Sequence, residues 1–204
     1  SNDSNEEGLR KNFGIPLNKK IIAILPGSRK SEINHHSKPL ADFINKYKKE
    51  NSNVEIILAL NKESDLLGEL KEISKKINVI YNSTQKVLAI CDLAIVASGT
   101  ATLEAAILAK PMVVIYKSNK LSNFILSNFF LKTKFISLPN ILSQEKIVYE
   151  LRQNQVSGKE IGEKVNLTFK NQKNISDKLS LIRDSLLVTN SNKFSNALRE
   201  ILAK

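Results

Sequence analysis

Short apolar runs alternate with longer stretches in which apolar residues recur every three or four positions, and this alternation begins at Lys20. Residues 21–25 form a compact apolar run ending at Pro26-Gly27, the pattern of a buried strand and its turn. Similar runs follow at 54–60, 79–81, 93–97 and 112–116, the last opened by Pro111, which a strand tolerates at its start. Residues 135–138, before Pro139-Asn140, predict a sixth strand. Helical segments lie between the strands. Ile33, Leu40, Phe43, Ile44 and Tyr47 mark the first, with a break expected at Pro39 and the main helix starting near it. Segments 63–76, 84–90 (capped by Ser83), 101–110 and 119–130 predict the next four.

Continuously apolar strands alternating with helices indicate a parallel sheet covered on both faces. The expected fold class is therefore α/β, a doubly wound parallel sheet of Rossmann-like type. After Leu142 the strand signals stop, and 145–155, 159–170, 174–187 and 193–203 all read as helices. The expected organisation is a lead-in or linker at 1–19, with a short helix at 6–13 stopping at Gly14, a Rossmann-like domain at 20–156 and an all-helical C-terminal tail at 157–204.

Composition then removes several classes. A hydrophobic content of 42% in 204 residues supports a real core and excludes disorder as a description of the whole chain. Cys91 is the single cysteine, so it makes no internal disulfide, and its apolar surroundings place it in the core. His35-His36 are adjacent rather than spaced for one helical face, and no Cys/His cluster suggests zinc; no metal or cofactor is expected. The longest apolar runs fall far short of the roughly 20 residues of a membrane span, and no leader pattern opens the sequence. The charge is lopsided: 31 Lys and Arg against 20 Asp and Glu, a net +11. That favours anionic partners in general and says nothing about fold. Aromatics are few and do not interleave with Lys or Arg, which argues against a stacking platform for nucleic acid.

Ligands of open α/β sheets bind outside the carboxyl ends of the strands, and two such ends carry suggestive residues. Gly27-Ser28-Arg29 follow the first strand and lead to Glu32. A close backbone approach, a helix N-terminus and a guanidinium together suit a phosphate or diphosphate, although a plain turn with a solvated arginine has the same letters. Ser98-Gly99-Thr100 follow the fourth strand, with Glu104 one turn into the next helix. A capping box would need Ser or Thr at 101, where alanine stands, so Glu104 reads either as a ribose acceptor or as a first-turn dipole preference. Asn140 could hydrogen-bond a sugar or a base, or simply shape a turn. Glu150 and Gln153 share a helix face at i, i+3, and nothing local says whether that face meets ligand or solvent. No Ser/His/Asp set and no paired carboxylates stand out, so a binding half is visible without a general base.

These blocks resemble the lipid-A-disaccharide synthases, inverting glycosyltransferases of the two-domain glycosyltransferase-B fold. IAILPGSRKSEI at 22–33, DLAIVASGTATLEAAILAKPMVVIYK at 92–117, and ISLPNIL at 136–142 with ELRQ at 150–153 carry the likeness, in order and at fitting spacing over about residues 9–204. The resemblance implies the C-terminal, nucleotide-binding half of such an enzyme. It implies transfer of 2,3-diacylglucosamine from UDP to 2,3-diacylglucosamine 1-phosphate, with a β-1,6 linkage formed and UDP released. Arg29 would stabilise the diphosphate leaving group, Gly27, Ser28, Ser98, Gly99 and Thr100 would line its pocket, Glu104 would hold the ribose, and Asn140 and Gln153 would complete the donor site.

The implied partners are UDP, UDP-2,3-diacylglucosamine and an N-terminal domain that bears the acceptor site and the base and lies outside this chain. The chain alone is expected to bind UDP without turnover. A cytoplasmic location peripheral to the inner membrane and a homodimer through the helical tail are further expectations. Competing readings are another UDP-sugar transferase or epimerase of the same fold, a basic nucleic-acid-binding module, or an adaptor on a membrane surface.

Overall fold

The computed structural model describes residues 2–118 and 134–188. Six parallel strands form one sheet: β1 (Lys20–Leu25), β2 (Val54–Leu60), β3 (Asn78–Tyr81), β4 (Leu93–Ala97), β5 (Met112–Tyr116) and β6 (Tyr149–Arg152), in the order β3-β2-β1-β4-β5-β6. Its helices are α1 (Asn2–Asn12), α2 (Lys30–Glu50), α3 (Glu69–Ile73), α4 (Thr84–Ile90), α5 (Thr100–Ile107), α6 (Leu138–Ser143), α7 (Gly158–Lys170) and α8 (Gln172–Val188). This is the doubly wound α/β architecture.

Strand alternation assigns each face its own core. Ile21, Ala23, Leu25, Ala94, Val96, Met112 and Val114 pack with Val87 and Leu88 of α4, Ala105 and Ala106 of α5, and Ile175 and Leu179 of α8. Ile22, Ile24, Leu93, Ile95, Val113 and Ile115 pack on the other face with Ile33, Leu40 and Ile44 of α2, Leu70 of α3 and Ile161 and Val165 of α7. α7 and α8 therefore cover opposite faces of the sheet. The lead-in is fastened as well. Arg10, buried on α1, donates to the carbonyls of Lys19 (2.9 Å) and Ile90 (3.3 Å) and pairs with Glu6.

Four local expectations change. α2 runs unbroken through Pro39. A mid-helix proline costs about 3 kcal/mol, whereas burying Ile33, Leu40, Phe43, Ile44 and Tyr47 stabilises by roughly 10 kcal/mol, so the helix persists. The segment 63–76 divides into 3-10 turns around α3, because Gly68 adopts a left-handed φ of 54° against Ser37. Residues 135–138 are not a strand. Leu138 opens α6, and the sixth strand is Tyr149–Arg152, inside the segment 145–155 that reads as helix. Four residues are too few to separate a period of 2 from one of 3.6. Ser83 precedes α4, but its hydroxyl makes no cap bond. The helices expected at 119–130 and 193–203 lie outside the described residues.

Candidate functional site

β1 and β4 are neighbours although some seventy residues separate them in sequence, and the chain leaves each on opposite sides of the point where the strand order reverses. Their C-terminal turns enclose a cleft of about 220 Å³. Gly27, Ser28, Ser98, Gly99, Thr100 and Glu104 all line it, together with Glu32, Asn61 and Thr84. Two helices, α2 and α5, begin at this rim, so their unpaired N-terminal N–H groups lie beside the cleft.

The first turn is built around Glu32. Its carboxylate accepts the Ser28 N–H at 3.0 Å, and Gly27, at φ +127°, leaves the space in which that carboxylate lies. A β-carbon at Gly27 would collide with it. Sequence reasoning assigns the close approach at Gly27 to a ligand; the group that approaches is the protein's own carboxylate. Arg29 occupies the N-cap position of α2 and is exposed. Among the described residues its guanidinium has no hydrogen-bond or ion-pair partner.

The second turn is held from outside. Ser98 donates its N–H to Ile115 O (2.9 Å) and its hydroxyl to Ile136 O (2.8 Å), so both of its donors are engaged within the protein. Thr102 bonds back to Gly99 O at 2.7 Å. Ligand-facing donors here therefore fall to Gly99, Thr100 and the start of α5. Glu104 lies half-buried against the cleft, and among the described residues its carboxylate accepts no hydrogen bond.

Asn140 and Gln153 lie elsewhere on the same rim. Asn140 has no exposed surface. Its Nδ2 donates to Val148 O and Glu150 Oε1, and its Oδ1 accepts from the N–H groups of Ile147 and Val148, all within 2.9 Å. The expected contact of Asn140 with a sugar or base is thus replaced by an internal role, since its amide is already saturated. Glu150 is on β6 and shares no helix face with Gln153; its carboxylate accepts from Ile136 N–H, Ser137 N–H, the Ser137 hydroxyl, Asn140 and Arg152. Gln153, just past β6, accepts the Ser118 N–H at 3.3 Å and does not line the cleft.

One residue the sequence left in a weak metal reading is prominent. His36, fully buried on α2, contacts Pro26 O through Nδ1 (2.7 Å) and accepts the Lys117 N–H through Nε2 (3.1 Å). Burial above all, with the neighbouring His35 and Lys117 charges, pushes its pKa down to about 4. Burial likewise pushes the Cys91 thiol up to about 12, in keeping with a core side chain. Among the described residues no group of three or more His, Cys, Asp or Glu is placed to hold a metal ion.

Parallel-sheet topology, a cleft at the strand-order reversal and two helix N-termini beside it define a Rossmann-like domain of the glycosyltransferase-B type. Solved structures share this fold at low identity. The C-terminal domain of a group 1 glycosyl transferase from Francisella tularensis aligns with TM-score 0.60 at 15% identity, over 90% of this chain and 92% of that one. ADP-heptose heptosyltransferase II of E. coli aligns with TM-score 0.59 at 12% identity, over 84% of this chain and 53% of that one. The sequence goes further than the fold. The family described as lipid-A-disaccharide synthetase matches residues 1–203. The lipid-A-disaccharide synthase of Colwellia psychrerythraea is 32% identical over 204 residues, and that of Blochmanniella floridana 39% over 161. These alignments cover 95% and 73% of this chain, but 51% and 40% of the relatives. The chain belongs to the lipid-A-disaccharide synthase family and spans about half the length of the curated relatives it matches.

Proposed function

We propose that this chain is the UDP-sugar-binding half of a lipid-A-disaccharide synthase. The reaction would transfer 2,3-diacylglucosamine from UDP to 2,3-diacylglucosamine 1-phosphate, forming a β-1,6 linkage and releasing UDP. The observation that carries this reading is the cleft between the 27–29 and 98–100 turns, beside the N-termini of α2 and α5. Two structural neighbours were solved with nucleotide ligands: an epimerase from Neisseria meningitidis bound to UDP-GlcNAc and a rhamnosyltransferase with thymidine diphosphate.

Negative charge builds on the departing UDP in the transition state, so donors aimed there act on rate as well as on binding. Arg29 is outside the cleft lining, but it follows Ser28 of that lining at the N-cap of α2, is exposed and has no side-chain partner among the described residues; it is the residue we assign to the diphosphate. Gly99, Thr100 and the first turn of α5 would face the same phosphates, and Glu104 the ribose diol. A carboxylate accepting from both hydroxyls suits that last role, and Glu104 has no competing partner among the described residues. Gln153 is assigned to the edge of the donor site, and Asn140 acts there only by shaping the loop. The acceptor site and general base are assigned to an N-terminal domain outside this chain, so the chain alone binds UDP and does not turn over. No helix among the described residues is long and apolar enough to cross a membrane. Peripheral contact with an anionic inner-membrane surface on the cytoplasmic side is supported by the +11 charge and by the acylated substrates of the reaction.

Calorimetric titration tests this. UDP binds saturably, AMP does not, and Arg29→Ala weakens UDP. Equal binding of both nucleotides, insensitive to Arg29 and erased by modest salt, overturns the reading in favour of a general basic surface.

A further inference from the structure

We propose that His36 is a positioning residue for the nucleotide cleft, tying the end of β1 to the end of β5 across the end of β4 and so setting the spacing of the turns that bound the cleft. The proposal rests on reading that cleft as the nucleotide site. In the sheet β4 lies between β1 and β5, so one imidazole spans the strand that delivers Ser98-Gly99. Because the Lys117 N–H is a donor, Nε2 must be the acceptor, which places the ring proton on Nδ1 facing the Pro26 carbonyl. The ring has no exposed surface, so its only tasks are these two bonds and packing.

The rest of the rim is coupled to this staple. Glu32 lies one turn before His36 on the same face of α2 and holds the Ser28 N–H, so two residues at i and i+4 grip the turn after β1 at Ser28 and at Pro26. On the other side, the Ser98 N–H hangs from Ile115, two residues before Lys117. A shift of Lys117 relative to Pro26 changes the spacing between the donors after β1 and those after β4. Those two sets must reach one diphosphate together, so small displacements are felt in affinity.

The test uses the full chain and UDP-glucose, a probe whose phosphates do not titrate near neutral pH, below the melting temperature of every variant. His36→Asn places its amide near Nδ1 and can keep the Pro26 bond. His36→Gln reaches toward Nε2 and can keep the Lys117 bond. His36→Leu fills the space with neither. We expect about a tenfold loss of affinity in His36→Leu and partial rescue, to about threefold, in at least one amide variant. Amide hydrogen exchange supplies a readout independent of ligand. Exchange at Ser28 and Ser98, whose N–H groups bond to Glu32 and Ile115 and not to His36, quickens about tenfold in His36→Leu. Unchanged affinity, or quickened exchange confined to Lys117, overturns the proposal. If the unmodified chain binds no UDP-glucose, the nucleotide reading fails, and exchange at Ser28 and Ser98 alone decides whether His36 positions the rim.

Discussion

Between β1 and β4 the rim of the sheet is open: Glu104 lines the cleft, Arg29 stands next to it at the N-cap of α2, and neither side chain has a protein partner among the described residues. Near the end of β6 the rim is closed, and Asn140 and Glu150 gather backbone N–H groups, a hydroxyl, an amide and a guanidinium into one buried knot. Both regions are rich in the same residue types. They differ in whether hydrogen-bonding capacity is already engaged, and that decides what each region can do. A saturated knot fixes a loop, whereas an unsaturated cleft can take a ligand. Through Ser98, whose hydroxyl donates to Ile136 in the loop that Glu150 holds, the closed region braces the open one.

The contrast is broken most sharply at Glu150. Glu150→Ala leaves several buried donors unmatched and should cost about 4 kcal/mol in urea denaturation; a loss under about 1 kcal/mol would remove the distinction between the regions. Acid comes next. His36 has a folded pKa of about 4 against an ordinary 6.5, so the unfolded chain takes up the proton first. Its contribution is complete above pH 6.5 and declines as pH falls toward 4, in total about 3 kcal/mol. Denaturation curves between pH 8 and 4.5 should show stability falling in that window, with a shallower slope in His36→Leu.

Gly27→Ala sharpens the comparison from within the cleft. It combines a positive φ with a collision at Glu32 and should lose about 2 kcal/mol of stability as well as UDP affinity. Arg29→Ala should leave stability within about 0.5 kcal/mol and weaken UDP about tenfold by calorimetry. Smallest is Glu104→Gln, expected to leave the melting curve unchanged while reducing the preference for UDP over its 2′-deoxy analogue by about threefold.

Much of this was legible in the letters. The five apolar runs at 21–25, 54–60, 79–81, 93–97 and 112–116 each became a strand; burial on both faces writes the signature in four of them, while 79–81, on the edge strand β3, is only half-buried. The turns after β1 and β4 stood out separately, because a parallel sheet puts all its strand ends on one edge. The family resemblance joined them into one pocket, and the adjacency of β1 and β4 that makes them line one cleft is seen only in the fold. β6 stayed hidden, since Tyr149–Arg152 buries only Leu151 and is too short to show a period. The role of Asn140 was illegible for another reason. Its partners Ile147 and Val148 are backbone groups, which no side-chain pattern announces. His36 shows the same limit, as its two contacts are the Pro26 carbonyl and the Lys117 amide, the latter far along the chain.

The pairing of β1 with β4, registered from Ile22 against Leu93 to Leu25 against Val96, also sets an order of assembly. β2 and β3 can join β1 through local crossovers, but the other edge of β1 must wait for a strand some seventy residues downstream, and such distant closures are slow. During synthesis the isoleucines of β1 therefore lie along an unpaired edge until the 93–97 segment has emerged. The pocket forms only after β1, β2 and β3 have paired and β4 has closed on β1. Chains halted before Val96 should aggregate rather than bind, and the hazard ends with the same pairing that creates the site.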